Sequence, residues 1–178
     1  MGEPDNEAET PERLRARTLS SVGRALFDAG RYEKALAAFQ EAARQDPDFL
    51  EARVSQANTL LMLRRYDEAL GVCEDVIRRD PEYNRTYTAK ANVLHRRGEP
   101  AAALEYYRKG LALAPGDSAA NYNFACYWAL EGNEKECEEH LRRALEADPT
   151  HNSKAATDPD FDAVRDREWF QRLVAFKK

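Results

Sequence analysis

Few residues in this chain of 178 have the types and spacing that chemistry requires. Cys126, Cys137 and His140 are the best metal candidates, because thiolate and imidazole suit zinc and Cys137-x-x-His140 would set two ligands on one helical turn. Cysteine packs equally well as a small hydrophobe, and that is the role expected for Cys137 in its small column and for Cys73, with no metal bound. His95, beside Arg96, could serve as a general base, but no nucleophile or acid accompanies it in sequence. A polar contact is its expected role. Asn84-Arg85-Thr86 fits the glycosylation pattern and is read as incidental. No glycine-rich phosphate loop, nucleophile elbow or paired-histidine zinc helix occurs. The sequence therefore predicts no catalytic residue, no metal, no cofactor and no enzyme.

Composition points to helices as the elements that carry these side chains. The chain is 43% apolar and 33% charged but has only 8 glycines and 8 prolines, too few turn formers for many short strands. The formal charge of −5 is unevenly placed. Residues 1–12 hold five acids and no base, so the rest of the chain has 27 acids against 27 lysines and arginines. A neutral body argues against nucleic acid held through phosphates and against a polybasic membrane surface. No stretch approaches eighteen apolar residues, and no basic segment leads into an apolar one at the start. The expectation is a cytoplasmic protein without membrane insertion, whose three cysteines form no disulfide framework.

The strongest signal is a repeat. Pro47, Pro81, Pro115 and Pro149 recur at a constant spacing of 34 residues. With this proline as position 32, repeats begin at Ala16, Leu50, Asn84 and Ser118. Position 8 is then Gly23, Ala57, Ala91 and Ala125, and position 20 is Ala35, Ala69, Ala103 and Cys137, small in every copy. Position 24 is Phe39, Cys73, Tyr107 and Leu141. Within repeat one, Tyr32, Ala35, Leu36, Phe39, Ala42 and Ala43 form one apolar helical stripe. Gly30, Gly98 and Gly132 share position 15, where glycine can end a helix in the left-handed conformation. Repeat two has Arg64 there, so its turn must form at higher cost or differently. Each unit thus reads as helix, tight turn, helix and proline stop.

Small residues at positions 8 and 20, a larger group at position 24 and proline at position 32 of a 34-residue unit resemble the tetratricopeptide repeat. The resemblance covers residues 16–149 and implies an all-α fold, a right-handed superhelical solenoid of helix-turn-helix repeats. Position 4 departs from the family's tryptophan, being Leu19, Arg53, Tyr87 and Asn121. The predicted organisation is an acidic disordered tail over 1–9, four repeats over 10–151 (16–49, 50–83, 84–117 and 118–151) and capping helices over 152–178. In the cap, Phe161, Val164, Trp169, Phe170, Leu173, Val174 and Phe176 have helix-compatible spacing, with Asp158-Pro159-Asp160 as a helix start. The closing run also resembles segments that end some bacterial arrays of this family. The rival reading makes Trp169, Phe170 and Phe176 a partner-binding patch.

The resemblance further implies a concave groove lined by positions 2, 5, 9, 12 and 13 of each first helix. The candidate site residues are Ser20, Arg24, Phe27, Val54, Asn58, Leu61, Arg85, Thr88, Asn92, His95, Arg96 and Tyr122. Asparagines 58 and 92 could each hold a peptide backbone through donor and acceptor together, and the arginines could pair acidic groups. Chaperone-binding members grip a terminal carboxylate with lysine, asparagine and arginine at set columns. Here, starting in repeat one, those columns read Ser20, Arg24, Ser55, Arg85 and Ala89, and only Arg85 agrees in charge. The expected function is therefore a non-catalytic interaction module for a peptide or partner protein of some acidic character. Self-assembly into a homo-oligomeric scaffold is the alternative, and RNA binding by a related helical repeat a remote one.

Overall fold

The structure, a computed structural model, describes residues 10–175. The acidic stretch 1–9, expected to be disordered, and Phe176 of the closing run lie outside them. The described residues form ten α-helices and one 3-10 turn, and none is in a strand. They group into two compact units, Met1–Pro81 and Glu82–Lys178, each holding two of the four repeats.

In unit 1, α1 (Pro11–Asp28) pairs with α2 (Tyr32–Gln45), and α3 (Leu50–Met62) with α4 (Tyr66–Arg79). Thr10 caps α1 by accepting the Arg13 amide at 3.3 Å, and Pro11 takes the first helical position, where a missing N–H costs nothing. Ala16, Ala42 and Ala52 pack from three successive helices, joined by Leu19 and Phe49. Unit 2 repeats the plan with α5 (Asn84–Arg97), α6 (Pro100–Leu113), α7 (Ser118–Leu130) and α8 (Glu134–Ala147). Asp117 caps α7 through the Ala120 amide at 2.8 Å, and Asn133 caps α8 through Glu136 at 3.3 Å.

The closing segment follows within unit 2 as α9 (His151–Thr157), a 3-10 turn (Pro159–Phe161) and α10 (Glu168–Val174). Phe161, Val164 and Phe170 are buried against α7 and α8, with Trp169, Leu173 and Val174 packed on the same cluster. The Asp158-Pro159-Asp160 run starts a single 3-10 turn rather than an α-helix. Asp158 caps it by accepting the Asp160 amide at 3.1 Å, and the i→i+3 turns Val164 to Phe161 and Arg167 to Val164 continue the chain without an α-helical turn.

The small columns show why helix pairs recur. Positions 8 and 20 are fully buried in all four repeats where they carry alanine or cysteine. The one glycine at position 8, Gly23, is buried too, and a Cβ on it would meet the Phe39 ring at 2.8 Å. The aromatic ring at position 24 therefore occupies the space that alanine fills in the other repeats. Position 4, with no tryptophan, is anchored differently in each copy. Arg53 reaches Asp75 on α4 at 3.1 Å, Asn121 donates to the Pro115 and Asp117 carbonyls at 2.9 Å, and Tyr87 stacks on Tyr106.

The turn inside each repeat closes by one hydrogen-bond pattern. Arg31, Arg65, Glu99 and Asn133 amides donate to the Leu26, Leu60, Leu94 and Trp128 carbonyls at 2.8–2.9 Å. Position 15 lies between and takes positive φ in every copy: 70° at Gly30, 92° at Gly98, 76° at Gly132 and 59° at Arg64. Arginine thus adopts the conformation that glycine takes in the other three, at a cost of roughly 1–2 kcal/mol. We expect Arg64→Gly to stabilise unit 1 by about 0.5–1 kcal/mol, less than the strain because glycine also frees the unfolded chain. A higher urea midpoint at unchanged slope is the measurement. Gly23→Ala should cost about 1–3 kcal/mol through overpacking, with much of the loss restored by Phe39→Leu in the same background. Equal losses with and without the second change would show that the Phe39 ring is not the cause.

Candidate partner-binding surface

The predicted groove residues of unit 1 lie along α1 and α3. Ser20 and Val54 are buried in the packing beneath, which removes them as ligand contacts. Arg24 remains 64% exposed and bonds Glu51 of α3 at 2.6 Å, joining the two helices at the surface. Phe27 sits edge-on to Tyr32, ring centres 5.3 Å apart, and keeps part of its surface open. Asn58 and Leu61 are half-buried and Met62 is exposed. The result is a strip with one exposed ion pair, one amide and apolar edges.

Unit 2 uses the same columns differently. Arg85, at the start of α5, is exposed. Thr88 is buried under α6, where a side chain at position 110 would come within 3.2 Å of its hydroxyl. Asn92 accepts the Tyr107 hydroxyl proton at 2.5 Å and reaches Asn123 at 3.5 Å. Tyr107 is buried and Asn92 half-buried, so the amide oxygen anchors the interior ring while part of the side chain stays at the surface. His95 contacts Glu131 at 3.0 Å and lies edge-on to Tyr127, so it ties α5 to α7. The burial of Thr88 corrects the expectation that it lines an open face.

Tyr122 departs furthest from its expected role. It is 1% exposed, because the closing segment lies over it. Its hydroxyl donates to Asp158 at 2.8 Å, Phe161 meets its ring edge-on, and His151 stacks on it at 4.9 Å. Lys154 places its ammonium 4.2 Å from the ring centre. Arg96 of α5 pairs with Asp160 of the same segment at 3.2 Å. Burial raises the Asp160 carboxyl above the usual aspartate range, against the pull of Arg96. The sequence marked Asp158 and Asp160 only as a helix start. Their partners lie 36 and 64 residues away, outside the reach of any helical or repeat period.

The three candidates Cys126, Cys137 and His140 do not converge as one ligand group among the described residues. Cys137 fills the close helix crossing at position 20, and burial pushes its thiol up to about 12. His140 is bonded through Nδ1 to Asn121 Oδ1 at 2.9 Å. Cys126 instead lies within 4.8 Å of Asp158 and Asp160 ligand atoms. Both carboxylates already have partners in Tyr122, the Asp160 amide and Arg96, and burial raises the thiol well above its ordinary value. A thiolate, which metal binding requires, is disfavoured there. The hollows of about 530 and 800 Å³ on units 1 and 2 contain none of the predicted groove residues.

Comparison with known proteins agrees with this geometry. Two tetratricopeptide-repeat family models match residues 23–84 and 84–125, together more than half of the chain. No curated protein matches it. Among solved structures, a thermophilic TPR protein of Thermus thermophilus is 21% identical, with a TM-score of 0.69, covering 89% of this chain and 80% of its own. The first TPR of Spaghetti (RPAP3), solved with the HSP90 peptide SRMEEVD, is 17% identical at a TM-score of 0.56, covering 71% and 94%. YrrB, described as a TPR protein with an unusual peptide-binding site, is 23% identical at 0.51, covering 89% and 82%. At these identities the likeness concerns the fold.

The His140 contact defines a pH dependence. Asn121 gives both amide hydrogens to carbonyls, so its oxygen accepts from His140 Nδ1–H. Burial lowers the imidazole pKa below 6.5, helped by Arg143 and opposed by Glu139 and Glu136. The neutral ring is thus favoured in the folded state. Its contribution is complete above about pH 6.5 and is lost as pH falls through that value toward the lower folded one. The urea midpoint of unit 2 should drop between about pH 7.5 and 5.5. His140→Asn, which keeps a donor near Nδ1 but cannot titrate, should reduce that drop and leave the part due to His151, whose pKa burial also lowers.

Proposed function

This chain belongs to the tetratricopeptide-repeat family, and from that premise we propose that it is a non-catalytic interaction module holding an extended segment of a partner protein on the α1–α3 face of unit 1. The fold is a typical protein-interaction module, and its function lies in the side chains displayed on it. The observation that carries this reading is the strip formed by Arg24, Glu51, Phe27, Asn58, Leu61 and Met62.

Each part of the strip has a use in peptide recognition. An exposed ion pair such as Arg24–Glu51 contributes little to folding, so a partner carboxylate can take the place of Glu51 on the guanidinium. Asn58 offers a donor and an acceptor to an extended backbone. Phe27, Leu61 and Met62 give apolar anchors beside them. The partner is therefore a segment carrying at least one acid next to apolar residues. The peptide-bound neighbour and the one described by its peptide-binding site use the same fold. Among the described residues, no helix is long and apolar enough to cross a membrane.

A second reading is favoured by Leu14 and Val22, exposed by 56% and 49% on α1. They stand two turns apart on one side of the helix, and a second copy could cover them. Light scattering that shows a monomer at high concentration removes that reading.

The test of the main reading is quantitative capture from lysate of the source cell by tagged protein and mass spectrometry. Arg24→Glu with Asn58→Ala should lower the yield of specific partners by about tenfold or more, the loss expected for one charged and one neutral hydrogen bond, with helicity unchanged. Glu51→Gln, which frees Arg24, should hold or raise it. Equal capture by the folded double variant would overturn the assignment of this face.

A further inference from the structure

The closing segment covers the surface of unit 2 that corresponds to the partner-binding strip of unit 1. Tyr122, Cys126 and Ala129 occupy positions 5, 9 and 12 of α7 and are buried in one cluster with Ala155, Phe161 and Val164. Arg96, at position 13 of α5, is held by Asp160. Arginine, a hydroxyl donor and an apolar socket thus meet two carboxylates and one phenyl ring, supplied by the short run Asp158-Pro159-Asp160-Phe161. We propose that this run is an internal ligand, and that unit 2 binds a partner segment of the same chemistry, acid-x-acid-aromatic folded into the same single 3-10 turn, by exchanging it for the chain's own.

The chemistry of the contact supports exchange. Arg96 stays 57% exposed while paired, so its guanidinium can be approached from solvent before Asp160 leaves. Asp160 is held in a place where burial raises its carboxyl, which weakens the ionised segment's grip. Phe161 contributes most of the buried apolar surface of the run, and a partner must bring an aromatic side chain to fill the same space. A tethered segment acts at an effective concentration on the order of millimolar, so a free peptide competes poorly until the tether's contacts are weakened. The inference rests on reading the first helices of the repeats as ligand surfaces. Its test concerns unit 2 alone, whereas the capture experiment concerns Arg24 and Asn58 of unit 1, so either can fail without the other.

Cys126 reports the state of this surface, because it is buried beside Asp158 and Asp160. The experiment follows its reaction with a thiol reagent by site-resolved mass spectrometry in the full chain, with Cys73 and Cys137 as controls for general opening. Asp158→Ala with Asp160→Ala should speed labelling of Cys126 by about tenfold or more, as expected when a charge-assisted bond that holds a covering segment is lost. Cys73 and Cys137 should not change. The acetylated, amidated peptide Thr-Asp-Pro-Asp-Phe-Asp, the sequence of residues 157–162, should slow Cys126 again in that variant, and Arg96→Glu should abolish this protection. Arg96→Gln alone, which leaves the segment intact, should also accelerate Cys126. The proposal is overturned if Cys126 stays as slow as in the wild type, if it accelerates only together with Cys137, or if the peptide gives no protection.

Discussion

The close approach of two helices inside each repeat is the constraint on which the rest of this structure depends. It is made at positions 8 and 20, which carry only glycine, alanine or cysteine and are buried in every repeat. Packed interiors leave no free volume to absorb an added methylene, so the neighbouring columns have to answer. Phe39 over Gly23 is the clearest answer, a large ring where the backbone carries no Cβ. Cys73 and Leu141 meet alanine at the same crossing with other shapes. With the crossing fixed, the connecting turn has one solution, and position 15 must take positive φ even where the residue is Arg64.

That dependence explains how much could be read from the chain. The constant proline spacing and the small columns are local or periodic signals, and they predicted the eight repeat helices and the four turns; at Arg64 they left open a costlier turn or a different one, and positive φ decides for the first. The lack of tryptophan at position 4 hid a set of substitutes that follow no period. Arg53 works only because Asp75 stands on the next helix, and Asn121 only because two carbonyls and His140 surround it. Each is a pair choice, and a single sequence shows one member at a time without showing the other.

The candidate chemistry dissolves for the same reason. Cys137 and His140 do share a helix turn, but the thiol is needed at the crossing and the imidazole is needed by Asn121. Burial favours the neutral form of both groups. A soft-metal site requires the thiolate, and the surroundings that make these residues good packing elements disfavour that state. Spacing brought these residues forward as candidates; in the structure packing at the crossing and the bond to Asn121 use them.

The two units then differ in what meets the guanidinium at their helix faces. Arg24 has Glu51, a neighbour from the next repeat, and Arg96 has Asp160, from a segment beyond the last one. In neither case does an incoming acid meet a free cation. It replaces one carboxylate by another, so most of the charge attraction cancels and the difference in binding rests on the apolar groups beside it. On unit 1 those are partly exposed side chains that gain burial when a partner arrives. On unit 2 the socket is already filled by Phe161, and an outside segment gains only what the internal one gives up. The first face should therefore select for apolar contact in general, and the second for a ring at one fixed distance from two acids.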